Sequence, residues 1–391
     1  MNEYQKQRFS PRTIRVSVKT FFFISGFIFA TWASRIPELQ ARLHLNDAQL
    51  GSLLFALPAG LMFSMPLAGF LFNKFNSRNI MLVSSLIYIT LLCGIGLVEN
   101  FSEAALILFV FGATRNLFNI SINTQSIGVQ ELYNKSIIAS FHGIWSVAGF
   151  SGAAFATLLI SFGLLPLQHF TIVGGIVLIL ISLVWRTTLK AETKSLESRP
   201  VFVLPDRPLL NLGLLAFCCM VCEGTMNDWS GIYFSKEIHA PKEFVTMGYV
   251  AFLSCMTTGR FTGDWLINRF GNRKILITSG LFIAIGSNLI AIATKIPIAI
   301  TGFMICGFGV SCIMPFVFSN AGKNSTMKTG SAIVAVSTIG YLGFLTGPPL
   351  IGYLSSMIGL RYTFSAISLL GLFISLLIYK SIKDNIDSIK T

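Results

Sequence analysis

The chain has 391 residues, 53% of them hydrophobic and only 12% charged, with a mean hydropathy of +0.71 and a net charge of +13. A soluble globular chain carries about 25% charged residues, so this composition excludes one and points to an integral membrane protein. The positive balance is then read as membrane topology rather than as a nucleic-acid-binding surface.

Twelve apolar runs have the length of a bilayer span, and helices are predicted at 14–34, 48–72, 79–98, 103–127, 137–162, 167–187, 209–235, 244–267, 273–293, 297–319, 330–354 and 361–381. The first run, Ile14 to Ala33, exceeds the ~7–15 residue core of a signal peptide, so it is expected to remain as a helix. With an even number of spans both termini lie on one side. The segments on that side hold 21 Lys and Arg and the opposite ones hold 6, which places both termini in the cytoplasm. All seven cysteines fall inside apolar runs and suggest no disulfide framework.

One long polar connection, 188–208, separates a six-helix half at 1–187 from a second at 209–391. The halves repeat. "NKFNSRNIMLVSSL" (73–86) aligns with "NRFGNRKILITSGL" (268–281) at an offset of 195, with six identities in fourteen positions. An offset of 197 lays "TWAS" (31–34) on "DWSG" (228–231). Parallel six-helix repeats are the architecture of transporters whose site lies at the midplane between two rocking halves.

The residues that stand out within the spans are the polar ones. Glu223 and Asp228 lie in the seventh, where a charge costs ~2.5–3.5 kcal/mol on insertion scales. Glu223 shares a helical face with Met226, Asn227 and Ser230, whereas Asp228 is turned about 140° away unless the helix unwinds at Gly224 or Gly231. Both acids are expected to serve proton coupling; the local alternative for Asp228 is a pair with Lys236. The fourth span carries Arg115, Asn119 and Asn123 at i, i+4 and i+8, a polar stripe that faces something other than lipid. Arg115 either pairs with Glu223 or forks onto an anionic group of a substrate. His142 and Trp145 open the fifth span; His142 serves either as a proton relay or, near the cytoplasmic end, as a loop-facing hydrogen-bond partner, and Trp145 offers a surface for a flat ligand face. Arg115, Asn119, Asn123, His142, Trp145 and Asn227 are therefore the expected substrate-binding residues. Trp32 and Trp229 are read as interfacial belt. No nucleotide-binding loop, metal-ligand set, cofactor motif or nucleophile–base pair is visible, so neither primary ATP drive nor catalysis is expected.

The pattern resembles the major facilitator superfamily. The loop "GFLFNKFNSR" (69–78) keeps Gly69, Leu71, Lys74 and Arg78 of that family's loop between the second and third helices, with Asn73 in place of its acid. The second copy, "GRFTGDWLINRFGNRK" (259–274), is closer and keeps Gly263, Asp264, Arg269, Gly271 and Arg273. Stretches such as "ATWASRIPEL" (30–39), "SFHGIWSVAGFSGA" (140–153) and "EGTMNDWSGIY" (223–233) resemble the YbjJ-type inner membrane proteins, relatives of the fucose permease and sugar-porter branches. The resemblance implies an all-α fold of twelve transmembrane helices in two pseudo-symmetric bundles, placed in a bacterial inner membrane. It also implies a charge network of Lys74, Arg78, Arg260, Asp264, Arg269 and Arg273 that latches the cytoplasmic gate. The expected activity is alternating-access transport of a small polar solute, perhaps sugar-like, with protons, by a monomer in the lipid bilayer. Proton-driven efflux of amphipathic compounds is the first alternative, and a non-transporting sensor or scaffold the second.

Overall fold

The computed structural model describes residues 9–133, 137–190, 207–321 and 329–387. Most of the linker expected at 188–208 therefore lies outside the described residues. Among the described residues every long element is a helix: α1 (Pro11–Ala33), α2 (Ile36–Arg42), α3 (Asp47–Lys74), α4 (Ser77–Ile95), α5 (Phe101–Gln130), α6 (Ile138–Ser161), α7 (Pro166–Val184), α8 (Arg207–Lys236), α9 (Met247–Phe270), α10 (Asn272–Ile292), α11 (Ile296–Ser311), α12 (Ile313–Ala321), α13 (Thr329–Ile358) and α14 (Leu360–Asp387). Among the described residues eleven spans are long and apolar enough to cross a membrane. The twelfth, α9, has the length but carries Arg260, Asp264 and Arg269.

Helix starts follow local chemistry. Ser10 caps α1, with Pro11 at its first position, and Asn76 caps α4 by accepting from the Asn79 N–H at 2.9 Å. Asn100 and Glu103 satisfy each other's end of α5: Asn100 Oδ1 accepts from the Glu103 N–H at 3.0 Å, and Glu103 Oε2 accepts from the Glu99 N–H at 3.0 Å. Gly271 turns the chain from α9 to α10 at a φ of +81°, which side chains disfavour; the motif glycine at this position therefore has a backbone reason.

The tenth predicted span, 297–319, is two helices. The break falls at Cys312, between α11 and α12. Pro315 explains it: its ring lacks an N–H and collides with the carbonyl four residues earlier, at Ser311. In contrast, α13 is helical straight through Pro348 and Pro349.

The chain divides into two compact units, residues 1–44 with 53–199, and residues 45–52 with 200–391. In the first, α1 packs along α6 and α4 along α5. A Cβ on Gly26 would lie 2.5 Å from the Trp145 carbonyl oxygen, and one on Gly152 would lie 2.9 Å from that of Phe27. Helix backbones thus touch where small residues allow it. Gly112 and Gly60 do the same between α5 and α3, against the backbones of Leu57 and Phe109. Neither backbone can yield as a side chain would. Gly112→Val is therefore expected to destabilise the first unit by about 1–3 kcal/mol, read as a lower midpoint in thermal unfolding of the purified protein; an unchanged midpoint would refute the close approach.

In the second unit α8 packs along α13, α9 along α11, and α10 along α11 and α14. The head of α3 belongs here: Asp47 takes Lys236 Nζ on one oxygen and Ser355 Oγ on the other, both at 2.5 Å. Each unit also places an arginine on helix-end carbonyls that lack an intrahelical partner. Arg42 donates to the Ile95 and Gly96 carbonyls at 2.8 and 2.7 Å, and Arg361 to those of Ala291 and Ala293 at 3.3 and 2.6 Å. Gly96 and Ala291 are separated by the repeat offset of 195. The repeat conserves the job while placing the arginine on a different helix.

Candidate functional site

Polar groups in the middle of the spans form one cluster in each unit. In the second, Glu223 sits near the centre of α8, and its Oε1 lies 3.6 Å from Nη2 of Arg260 on α9. The other oxygen, Oε2, is sealed from solvent without a hydrogen-bond partner. Arg260 lies ten residues, about 15 Å at 1.5 Å per residue, before the end of α9 at Phe270. This corrects its expected place in a cluster at the helix end: Arg260 is Glu223's ion-pair partner. Counting residues back from the end of the span would have found it.

α8 is one unbroken helix from Arg207 to Lys236. No unwinding at Gly224 or Gly231 brings the two acids together, so Glu223 and Asp228 keep different faces. Asp228 is buried, and Lys236, the partner considered for it, binds Asp47 instead. On the Glu223 face, Asn227 Oδ1 and Ser230 Oγ are also buried without a hydrogen-bond partner. Three successive turns of α8 thus present unpartnered acceptors.

In the first unit, the α5 stripe is real but unevenly used. Asn119 Oδ1 accepts from Ser25 Oγ on α1 at 2.8 Å, and Asn123 Nδ2 donates to the Asn119 carbonyl at 2.8 Å. Asn116, off the stripe, donates to Ser64 Oγ at 2.9 Å. Gln125 is fully engaged with Ser77 and the Leu189 backbone, as helix-packing glue. Arg115 exposes only 9% of its surface, yet among the described residues it has neither an ion pair nor a hydrogen bond. Its guanidinium lies 3.8 Å from the ring centre of Phe29 on α1.

His142 is exposed, with its ring edge-on to Phe22 at 5.5 Å, and Trp145 is half-buried beside it. Trp32 and Trp229 are fully buried, which overturns the belt reading. Trp32 packs against Phe111 of its own unit, and neither ring faces lipid. The remaining gate candidates spread out. Arg78 is buried, donating to the Trp185 carbonyl at 2.9 and 3.2 Å. Lys74 and Asp264 are exposed. Arg269 lies over the rings of Trp265 and Phe270, and Arg273 over that of Tyr379.

Sequence reading missed a third cluster, at the α1–α2 junction. Arg35 is fully buried and donates to both Glu38 oxygens, at 2.7 and 2.5 Å, to His169 Nδ1 at 3.0 Å and to the Leu164 carbonyl at 3.0 Å. In the sequence it is one of the six Lys and Arg on the face opposite the termini. The basic residue beside an acid three positions on was the available signal.

A family model described as Major Facilitator Superfamily matches residues 212–386. An MFS-type transporter of Yersinia pestis is 33% identical over 356 residues, covering 91% of this chain and 92% of the relative. The membrane protein MosC of Rhizobium meliloti is 30% identical over 345 residues, covering 87% and 83%. The crystal structure of the nucleoside transporter NupG superposes with a TM-score of 0.76 at 14% identity, covering 95% of this chain and 99% of that one; at that identity the likeness concerns the fold. Twelve spanning helices in two repeated halves, full-length similarity at one-third identity and the family model agree: this chain belongs to the major facilitator superfamily of membrane transporters.

Proposed function

We propose that the protein is a proton-coupled secondary transporter that moves a small polar solute by alternating access, in a bacterial cytoplasmic membrane with both termini cytoplasmic. The observation that carries this reading is the Glu223–Arg260 pair. At 3.6 Å it is looser than a charge-assisted hydrogen bond of ~2.7–2.9 Å, and the second carboxylate oxygen has no partner. A carboxylate so held can exchange its arginine for a proton as its surroundings change. A membrane potential of 100 mV supplies ~2.3 kcal/mol per charge, or roughly 50-fold accumulation for one proton per cycle. Their polar or flat side chains support a role in solute recognition for Asn119, Asn123, His142 and Trp145 in the first unit and, separately, for Asn227 in the second. The excess of Lys and Arg on one face, 21 against 6, supports the orientation. Family resemblance supports a gating role for Lys74, Arg78, Asp264, Arg269 and Arg273. A locked, non-transporting scaffold calls for a settled counter-ion on Arg115, which has no ion pair among the described residues.

The test is uptake into membrane vesicles, over a panel of labelled pentoses, hexoses, sugar acids and nucleosides first narrowed by thermal shift. Wild type is expected to accumulate its solute when an inward proton gradient is imposed. Glu223→Gln is expected to lose that accumulation while still exchanging labelled for unlabelled solute. Undiminished gradient-driven accumulation by Glu223→Gln would remove Glu223 from coupling. Efflux is the second outcome, recognised by drug sensitivity of a deletion strain without any loss of uptake.

A further inference from the structure

We propose that Arg115 and the Tyr88 hydroxyl form an anion subsite within the first unit, which takes the carboxylate of a small hydroxylated acid. The assignment of that acid as the transported solute rests on the transporter reading above; the subsite itself rests on geometry.

Residues 111, 115 and 118 share one face of α5. Tyr88 of α4 lies against that face, its ring centre 4.3 Å from that of Phe111 and 6.2 Å from that of Phe118. It is thus set between the two turns that bracket Arg115. From the other side, the ring of Phe29 covers the guanidinium at 3.8 Å.

Two buried groups inside this frame have no partner: Arg115 Nε and Tyr88 Oη. Tyr88 is fully buried and Arg115 more than nine-tenths so. A guanidinium has five N–H donors and no acceptor capacity, and a phenol is a donor beside a cation. Both groups therefore ask for an acceptor, and the unbalanced charge asks for a negative one. The face of Phe29 is a weak substitute for a counter-ion. A carboxylate meets all three demands, lying across the edge of the planar fork and accepting from the phenol. A neutral water can satisfy the donors but leaves the charge unbalanced.

One turn further along α5, Asn119 narrows the class. Its Oδ1 is taken by Ser25 Oγ, while its amide N–H groups donate to none of the described residues. They are available to a hydroxyl oxygen of the same solute. An acid with hydroxyls along its chain, such as an aldonic or uronic acid, fits that sequence of groups better than a neutral sugar or a bare fatty acid.

The test is thermal unfolding of the purified full-length protein in detergent, titrated with sodium gluconate and sodium glucuronate. Glucose and sorbitol serve as neutral counterparts, and sodium chloride and sodium phosphate as inorganic anions at equal ionic strength. Either sugar acid is expected to raise the midpoint saturably, and the neutral compounds to leave it unmoved. Arg115→Gln should abolish the response. Tyr88→Phe keeps the ring packing and should weaken the apparent affinity about tenfold, the loss of one charge-assisted hydrogen bond. Without ligand, Arg115→Gln should be at least as stable as wild type, because it removes an unpaired buried charge.

Three results would overturn the proposal. The first is a response that survives Arg115→Gln, or that no sugar acid elicits. The second is a loss of ligand-free stability in Arg115→Gln with an unchanged response in Tyr88→Phe, which would make the arginine a packing residue. The third is an equal response to chloride or phosphate, which would reduce the site to one for inorganic anions. The measurement is made at equilibrium without a proton gradient, so its failure leaves the Glu223 accumulation test standing.

Discussion

Arg260→Met is expected to lower the thermal midpoint of the protein far more than the double change Arg260→Met with Glu223→Gln. In the single variant the Glu223 carboxylate stays in the middle of an apolar span with both oxygens unpartnered. Removing one member of a buried pair costs ~3–5 kcal/mol, mostly as the penalty on the charge left behind. Glu223 is 13% and Arg260 28% exposed, so the lower end of that range applies. In the double variant no charge remains, and replacing both partners by neutral groups of similar shape is close to neutral. The cycle built from the two singles and the double isolates the coupling. Additive effects would mean that the 3.6 Å separation reflects proximity without interaction, and the proton-exchange reading of Glu223 would lose its basis.

Arg35→Met should be at least as damaging, by a different mechanism. The side chain is 1% exposed; two of its four hydrogen bonds hold Glu38 within the α1–α2 junction, and the other two join that junction to α7 and to the loop before it. Without it, His169 Nδ1 remains buried and unmatched, at ~1–3 kcal/mol, and the half-buried Leu164 carbonyl loses its partner at a smaller cost. Glu38, partly exposed, regains water and contributes less. A total loss of about 3–5 kcal/mol is expected, seen as a lower midpoint and a shorter half-life of the monodisperse protein in detergent. Arg35→Lys should not rescue it, because a single ammonium cannot address three acceptor groups set around a planar fork. Full stability of Arg35→Lys would show that charge, not the fork, holds this junction.

The parts of the molecule that were legible in advance are those set by one-dimensional rules. Runs of apolar residues located the spans, because the bilayer demands about twenty of them in a row. The predicted 244–267 became α9 at Met247–Phe270, a shift of three residues without loss of the element. The motif at 259–274 identified the family, and Gly271 proved to be its turn. Less legible were features that depend on a neighbour. Pro315 lay in plain view, yet an apolar run reads the same whether its helix is broken at Cys312 or not. Arg260 was placed by its companions in the motif rather than by its depth along α9. Trp32 and Trp229 were placed by depth alone, which says nothing about which way a helical face turns.

The sequence by itself determined that this is a twelve-span membrane protein built from two repeated halves, and which few polar residues are submerged in it. Hydropathy, charge asymmetry and internal repetition are properties of the string, and lipid reads them in the same order. Only the tertiary structure decided the partners: Glu223 with Arg260, Arg35 with His169, Asp47 with Lys236, and Arg115 with none among the described residues. A buried charge is balanced by whatever packing brings within ~4 Å, and that depends on how each helix is rotated against its neighbours, which no single span encodes.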